Sequence, residues 1–134
     1  MLVFGFVGCL DIGKLIDVRL HHIKEEGGML LIEVPDKQNN CSHLFTITQK
    51  LSNYVNRYIH LRPDNCKSDH FFCNSNTTGR TRVLCTKAQI KNVPTEMAKW
   101  LKLSNPESYN GHALRLTNIS LLAEIGLSIL DPKF

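Results

Sequence analysis

The chain opens with a dense apolar segment that predicts two short helices. Apolar residues crowd the stretch from Phe4 to about Val18, and Asp11, Gly13 and Lys14 interrupt it where one helix can end and another begin. The segment lacks the basic leader and small-residue cleavage site of a signal peptide, and it is far too short to span a bilayer. We therefore expect a buried helical start and no membrane association.

A pair of strands is predicted next. Gly27 and Gly28 break the chain, and the run MLLIEV from Met29 is continuously apolar, which is typical of a buried strand. The run HLFTIT from His43 is its predicted partner. The segment between them, PDKQNNCS, is made of turn-forming residues. We predict an antiparallel hairpin with Lys37 near its tip.

Two helices and a short strand are predicted in the middle of the chain. Thr48 can cap a helix that ends before Pro63. The inward stripe of this helix, at spacings of three and four, is Leu51, Tyr54, Val55, Tyr58 and Ile59. The run HFFCN from His70 predicts a strand, and a polar loop over 74–82 follows it. Pro94 is well placed as the first residue of the next helix. The predicted inward face of that helix is Val93, Met97, Trp100 and Leu101.

The final helix is predicted from His112 to about Ile125, with Gly126 as its stop. Apolar residues on two of its faces predict that most of its surface is buried. They are Leu114, Leu121, Leu122 and Ile125 on one face and Ala113, Leu116 and Ala123 on the other. A chain of 134 residues has the length of one domain, so we predict a single α+β domain over residues 1–134.

Composition and charge narrow the class of protein. The apolar fraction of 43% and the charged fraction of 21% are ordinary for a globular chain and argue against disorder. The net charge is +4, and nine Lys or Arg stand against three acids between Arg57 and Lys102. Such a basic half can attract polyanions, but it is also compatible with a solvated surface that happens to carry more lysine than glutamate.

The five cysteines do not form a recognisable framework. Their number is odd and their spacing irregular, which favours reduced thiols in the cytosol or the nucleus. One subset could in principle hold zinc and consists of Cys66, His70, Cys73 and Cys85. Its spacing is not that of a regular finger or ribbon, so we predict neither a metal site nor a cofactor.

His112 and Arg115 are the most informative polar residues of the last helix. They lie three apart, so they share a face of it. A guanidinium on a mostly apolar helix needs an anion or carbonyl groups around it, because a dry, unpaired charge costs several kcal/mol. Two interpretations are open here. The pair has a structural role, with Arg115 bound to Glu107 or Asp69 and His112 capping its helix, or the two side chains bind an external anion.

The segment GHALRLTNISLLAEIG resembles the second conserved box of the tyrosine recombinases, the phage-integrase-like family. The similarity is greatest to Crypton-type mobile-element recombinases and their domesticated relatives. The matching positions are Gly111, His112, Arg115, Thr117, Ser120, Leu121, Leu122, Ala123 and Gly126. The preceding segment VPTEMAKWLKLSNPESYNGH resembles the family's approach to that box, and HFFCN resembles its short strand. The resemblance runs in order over nearly the whole chain.

The resemblance implies a mostly helical catalytic-domain-like core with a small antiparallel hairpin or sheet, incomplete at both ends. In that family the arginine matched by Arg115 grips phosphate oxygens of DNA, and the histidine matched by His112 assists proton handling. A lysine in the hairpin turn, here Lys37, protonates the leaving 5′ oxygen. A tyrosine beyond this box attacks phosphorus.

The chain departs from the family pattern where chemistry is done. Asp11 stands where the first arginine is expected, and a carboxylate there repels phosphate. Lys37 lies one residue before the family position, which Gln38 occupies. The sequence shows no tyrosine at the nucleophile's place after Gly126. Its tyrosines are Tyr54, Tyr58 and Tyr109.

We therefore predict a nuclear, catalytically inactive, DNA-binding remnant of a DNA integration or recombination protein, derived from a transposable element and domesticated. The residues predicted to contact double-stranded DNA are Arg115, Lys87, Lys91, Arg80 and Arg82. Two alternatives stay open. One is a protein-interaction module without a DNA role. The other is a recombinase subunit that self-associates, or pairs with an intact recombinase, and uses a tyrosine supplied in trans.

Overall fold

The protein is described by a computed structural model of residues 1–36, 40–62, 64, 66–75 and 82–124, with the backbone alone at 74, 75 and 82–84. The described part has a mixed helix and strand architecture, which confirms the predicted fold class. Its helices are α1 (Leu2–Val7), α2 (Ile12–Asp17), α3 (Gln49–His60), α4 (Lys87–Trp100) and α5 (Gly111–Glu124). Its strands are β1 (Ile23–Glu26), β2 (Met29–Asp36), β3 (Cys41–Ile47), β4 (Cys73–Ser75) and β5 (Arg82–Leu84).

Strands β1, β2 and β3 form an antiparallel sheet in that order. Gly27 and Gly28 join β1 to β2 with φ values of +58° and +76°, the left-handed backbone that a two-residue hairpin turn requires. The sequence pattern does not predict strand β1. Its sequence IKEE is short and charged, so it forms a strand because β2 supplies the hydrogen-bonding edge, not because of its own pattern.

The predicted hairpin of β2 and β3 is confirmed, with Ile32 opposite Phe45 and Val34 opposite His43. The expectation that β2 is buried throughout is wrong. Its burial alternates, since Leu30, Ile32 and Val34 point into the core while Glu33 is exposed. One face of this sheet therefore meets the core and the other meets solvent. Lys37, predicted to lie near the hairpin tip, falls outside the described residues.

The two predicted helices at the start of the chain are confirmed as α1 and α2. Helix α3 follows Thr48 as predicted, and Val55 lies in the core while Leu51 packs against it. Tyr54, however, is exposed and does not belong to the inward stripe.

The strand predicted at HFFCN begins later than expected. Phe71 and Phe72 precede β4 and are buried side chains of the core. Strand β5, which pairs with β4, begins at Arg82, the last residue of the segment predicted as a loop, and residues 76–81 of that segment lie outside the described residues. Each of these strands is three residues long, which is too short for a hydrophobic period to mark it.

Helix α4 begins at Lys87, seven residues before the predicted start. Thr86 and Gln89 form a capping box, in which each side chain accepts a hydrogen bond from the other residue's backbone N–H. Pro94 therefore lies inside the helix. The buried face is Ile90, Pro94 and Ala98. The predicted inward residues Met97, Trp100 and Leu101 are instead exposed, Trp100 by 75%.

Helix α5 is described from Gly111 to Glu124, close to the predicted start, while the predicted end at Ile125 and the stop at Gly126 lie outside the described residues. The expectation that most of its surface is buried is wrong. None of its residues is fully buried. One side packs on α1 and α4, with Leu114 against Gly5, where an added Cβ would lie 3.2 Å from Leu114 Cδ1. Leu116 is 61% exposed and Leu121 is also exposed, because no described element covers those faces.

The core is organised around the ring of Phe4. Its centroid lies 5.1 Å from that of Phe71, 5.3 Å from that of Phe72 and 5.9 Å from that of Phe45. These rings come from α1, β3 and the segment before β4, so one aromatic cluster joins helix, sheet and loop. Within the part of the chain described, no helix is long and apolar enough to cross a membrane.

Two distant segments are joined beside this core. The backbone N–H of Leu20 donates to Asp69 O at 2.9 Å, and that of Phe71 donates to Val18 O at 2.8 Å. The Arg19 guanidinium forms an ion pair with the Asp69 carboxylate. The segment after α2 is thereby held against the segment before β4.

His22 closes the turn between α2 and β1. Its Nδ1 accepts a hydrogen bond of 3.1 Å from the backbone N–H of Arg19, so that nitrogen must be unprotonated. Burial lowers the pKa of His22 below its ordinary value, and the charges of His21 and Arg19 lower it further. The folded state therefore favours neutral His22.

We predict that the free energy of unfolding falls as the pH drops below about 6.5, the ordinary pKa of histidine. Below that value the unfolded chain takes up a proton at His22 more readily than the folded chain does. Urea unfolding at pH 7.5 and pH 5.5 measures the loss. In His22→Asn, whose amide oxygen can still accept the Arg19 N–H, this part of the pH dependence should disappear. The exposed His60→Gln is the control, and an equal pH dependence in wild type and His22→Asn would contradict the assignment.

Candidate functional site

The first turn of α5 carries the two residues singled out by the sequence. Asn110 Oδ1 accepts hydrogen bonds from the backbone N–H groups of His112 at 3.0 Å and Ala113 at 3.1 Å. Asn110 is therefore the N-cap, and His112 does not cap its own helix. The His112 side chain is exposed at the start of α5.

Within the described residues, Arg115 has no partner of the kind that a purely structural role requires. Its side chain is exposed, and among the described residues its guanidinium makes no hydrogen bond or ion pair. Asp69, one of the two acids considered as a partner, pairs with Arg19. Glu107, the other, makes no ion pair within the same part of the chain.

The loop between α1 and α2 runs alongside the first two turns of α5. The Cys9 thiol donates to Asn118 Oδ1 at 3.1 Å, and Asn118 Nδ2 donates to Phe6 O at 2.6 Å. At the other end of the loop, Ile12 packs on Gly111, where an added Cβ would lie 3.1 Å from Ile12 Cδ1. Arg115 lies between Gly111 and Asn118 on the same side of the helix. The loop that contains Asp11 therefore faces Arg115.

Cys9 and Asn118 were not among the predicted site residues. Cys9 has a left-handed backbone, with φ of +49°. Burial raises the pKa of its thiol, and the nearby Arg115 guanidinium offsets part of that rise. The only sequence signal for Cys9 was its place two residues before Asp11, while Asn118 occurred within the box without a role assigned to it.

Asp11 has a local structural role that explains a carboxylate at this position. Its Oδ1 accepts the backbone N–H of Lys14 at 2.9 Å and caps α2. The Lys14 ammonium in turn lies 3.0 Å from the Asp36 carboxylate at the end of β2. The position at which the resemblance expects an arginine is therefore occupied by a helix cap with the opposite charge.

Two of the remaining predicted site residues lie on α4, and the side chains of the others are not described. Lys87 and Lys91 are exposed and lie four residues apart in the first half of α4. No acid occupies the first turn of α4, so the positive end of the helix dipole adds to their charge. Lys37 and Arg80 lie outside the described residues, and only the backbone of Arg82 is described, in β5.

Three residues of the candidate zinc set, Cys66, His70 and Cys73, form hydrogen bonds to backbone carbonyl groups. Cys66 donates to Ser68 O, Cys73 donates to His70 O, and the His70 ring bonds to Ile16 O. Among the described residues, no three His, Cys, Asp or Glu side chains are grouped to hold a metal ion. All five cysteines are described, and no disulfide joins them.

The fold is that of a tyrosine-recombinase-like domain. The crystal structure of XerA recombinase matches 95% of this chain and 43% of its own, with a TM-score of 0.72 and 16% identity. XerH site-specific recombinase bound to difH substrate in a pre-cleavage complex matches with a TM-score of 0.68 and 18% identity. Its post-cleavage complex with palindromic difH substrate matches with a TM-score of 0.69 and 18% identity. In both XerH structures the match covers 93% of this chain and 34% of the recombinase.

The chain thus spans less than half of these recombinases. No protein-family model matches the chain, and no curated protein does. The recombinase-like fold implied by the resemblance is confirmed. Similarity to Crypton-type recombinases stays a prediction.

We predict that Asp11→Ala destabilises the protein by about 0.5–2 kcal/mol, because α2 loses its N-cap. Asp11→Asn should cost less than Asp11→Ala, because asparagine caps helices about as well as aspartate. Urea unfolding of the two variants beside wild type measures the difference. Equal destabilisation by Ala and Asn would show that the carboxylate charge, not the cap hydrogen bond, matters at this position.

Proposed function

We propose that this chain is a DNA-binding remnant of a tyrosine-recombinase-like protein of DNA integration or recombination. It acts in the nucleus, descends from a mobile-element recombinase that was domesticated, and does not cleave DNA. Its ligand is the phosphate backbone of double-stranded DNA, bound at the N-terminal half of α5.

The observation that carries this proposal is that Arg115 is exposed and makes no ion pair within the described residues. A guanidinium that is exposed and makes no ion pair in the described part of the chain can offer a fork of N–H donors to two phosphate oxygens. His112 lies one turn earlier, at the positive end of the helix dipole, where an anion is also favoured. His112 and Arg115 both lie in the N-terminal half of α5.

Lys87 and Lys91 support a wider contact. They are exposed on α4, and they belong to the basic half of the chain. Contacts of this kind give affinity without sequence specificity, because phosphates are the same in every sequence. The XerH structures of similar fold contain difH substrate, which supports DNA as the ligand here.

The proposed loss of cleavage rests on Asp11. The Asp11 carboxylate occupies the position where the family resemblance expects the first arginine, and it is fixed there as the cap of α2. Loss of one such donor commonly lowers a rate by about 10²- to 10³-fold, and a negative charge adds repulsion.

A second candidate function is a protein-interaction module without a DNA role. The end of α4 and the segment after it expose several large apolar side chains, which is unusual on a surface without a partner. These are Met97, Trp100, Leu101 and Leu103. An interaction module predicts no measurable affinity for duplex DNA at low salt, whereas the proposed function requires it.

The first test measures binding to a short duplex at several salt concentrations by fluorescence anisotropy. We expect the logarithm of the affinity to fall linearly with the logarithm of salt, by about 0.9 per phosphate contacted. Arg115→Ala should weaken binding by about tenfold and reduce the slope by about one phosphate, because a charged hydrogen bond is lost. Lys50→Ala removes one positive charge from the exposed surface of α3, outside the basic half of the chain, and is the control. Equal effects of the two variants would contradict the proposed site.

The second test removes the repulsion at Asp11. Asp11→Asn keeps a capping side chain and removes one negative charge from the loop that faces Arg115. We expect DNA affinity to rise by about threefold at low salt, with a smaller gain at high salt. Glu25→Gln, at an exposed position of β1, removes the same charge elsewhere and is the control. An affinity gain no larger than that of Glu25→Gln would show that Asp11 does not face the bound phosphate.

A further inference from the structure

Strand β3 contacts the end of α1 through two side chains. His43 Nε2 lies 2.5 Å from Gly8 O, and the Phe45 ring lies directly against Gly8. A Cβ on Gly8 would come within 2.6 and 2.7 Å of two Phe45 ring atoms, so only glycine fits there. His43 and Phe45 are two residues apart and therefore share one face of β3. This face holds the end of α1 in place.

The hydrogen bond from His43 has a defined direction. A carbonyl oxygen only accepts, so His43 Nε2 carries the proton and donates it to Gly8 O. Gly8 also donates its own N–H to Phe4 O as the C-cap of α1. Both backbone groups of Gly8 are thus bonded, one within α1 and one to β3.

The opposite side of the same loop is bonded to α5. Asn118 contacts Phe6 O and the Cys9 thiol, and it lies one turn after Arg115. We define residues 6–9, the last two residues of α1 and the two that follow them, as the bridging loop. It is fixed at Gly8 by β3 and at Phe6 and Cys9 by α5, so the position of this face of α5 depends on the loop.

We infer that His43 is a positioning residue for the phosphate-binding site: by donating to Gly8 it fixes the bridging loop, which through Asn118 holds the face of α5 that presents Arg115. This inference rests on the proposed function for its effect on DNA. His43 does not touch the phosphate in this scheme. The His43 hydrogen bond aligns the Arg115 guanidinium before DNA binds, so less conformational entropy of that side chain is lost on binding.

The test compares His43→Leu with His43→Gln, because the glutamine amide can still donate to Gly8 O and leucine cannot. We expect His43→Leu to weaken duplex binding by about fivefold and His43→Gln to restore it to within about twofold of wild type. In an Arg115→Ala background, His43→Leu should have no further effect on DNA affinity. Leu44→Gln, at an exposed neighbouring position of β3, is the matched control.

A second measurement needs no DNA. In the free protein, the NMR resonance of the Arg115 Nε–H group should shift in His43→Leu and return toward its wild-type position in His43→Gln. If His43→Leu does not fold, His43→Asn replaces it, since its shorter amide falls short of Gly8 O. Thermal unfolding of each variant establishes that it is folded.

These measurements distinguish the positioning role of His43 from the proposed DNA-binding function. If Arg115→Ala weakens binding but His43→Leu does no more than Leu44→Gln, the inference is overturned and the proposed function stands. If His43→Leu weakens binding equally with and without Arg115, His43 acts independently and the inference is also overturned. If Arg115→Ala changes nothing, the proposed function fails, and an unshifted Arg115 resonance in His43→Leu would overturn the positioning role as well.

Discussion

The close packing of Gly8 against Phe45 is the contact on which the arrangement of the site depends. It brings the C-terminal end of α1 within bonding distance of β3, and it leaves no room for any other side chain at that position. The same Phe45 ring meets Phe4 in the centre of the core. The packing of Gly8 on Phe45 therefore fixes where the loop from Gly8 to Asp11 begins. The position of that first residue determines how the loop runs along α5.

Helix capping and phosphate binding make opposite demands at Asp11. The first turn of α2 needs an acceptor for its free N–H groups, and Asp11 supplies one to Lys14. A phosphate in front of Arg115 would instead favour a donor or a cation. This chain meets the local structural demand, and the acidic cap is compatible with the fold. The local requirement of helix capping is thus met at the position where the family resemblance expects an arginine.

In the described part of the chain, α4, the segment after it and α5 expose several large apolar side chains. Among the described residues, α5 packs by one side, and the end of α4 exposes a tryptophan and neighbouring apolar residues. The chain corresponds to less than half of the recombinases of similar fold. The buried core cluster of the described part includes Phe4 and the inward residues of β2, while α5 contacts α1 through Leu114 and the Asn118 hydrogen bonds.

The sequence by itself determined the features that depend on near neighbours. The β2–β3 hairpin, the span of α5 and the shared face of His112 and Arg115 follow from backbone periodicity, which acts over a few residues. The tertiary structure decided which side of each helix is buried. It turned Ile90 and Ala98 inward on α4 and left Trp100 outside, because a helical pattern does not specify which neighbours a helix will meet. It also joined Cys9 to Asn118, 109 residues apart, and His43 to Gly8, 35 residues apart. Such contacts depend on how whole elements pack, and no local pattern encodes them.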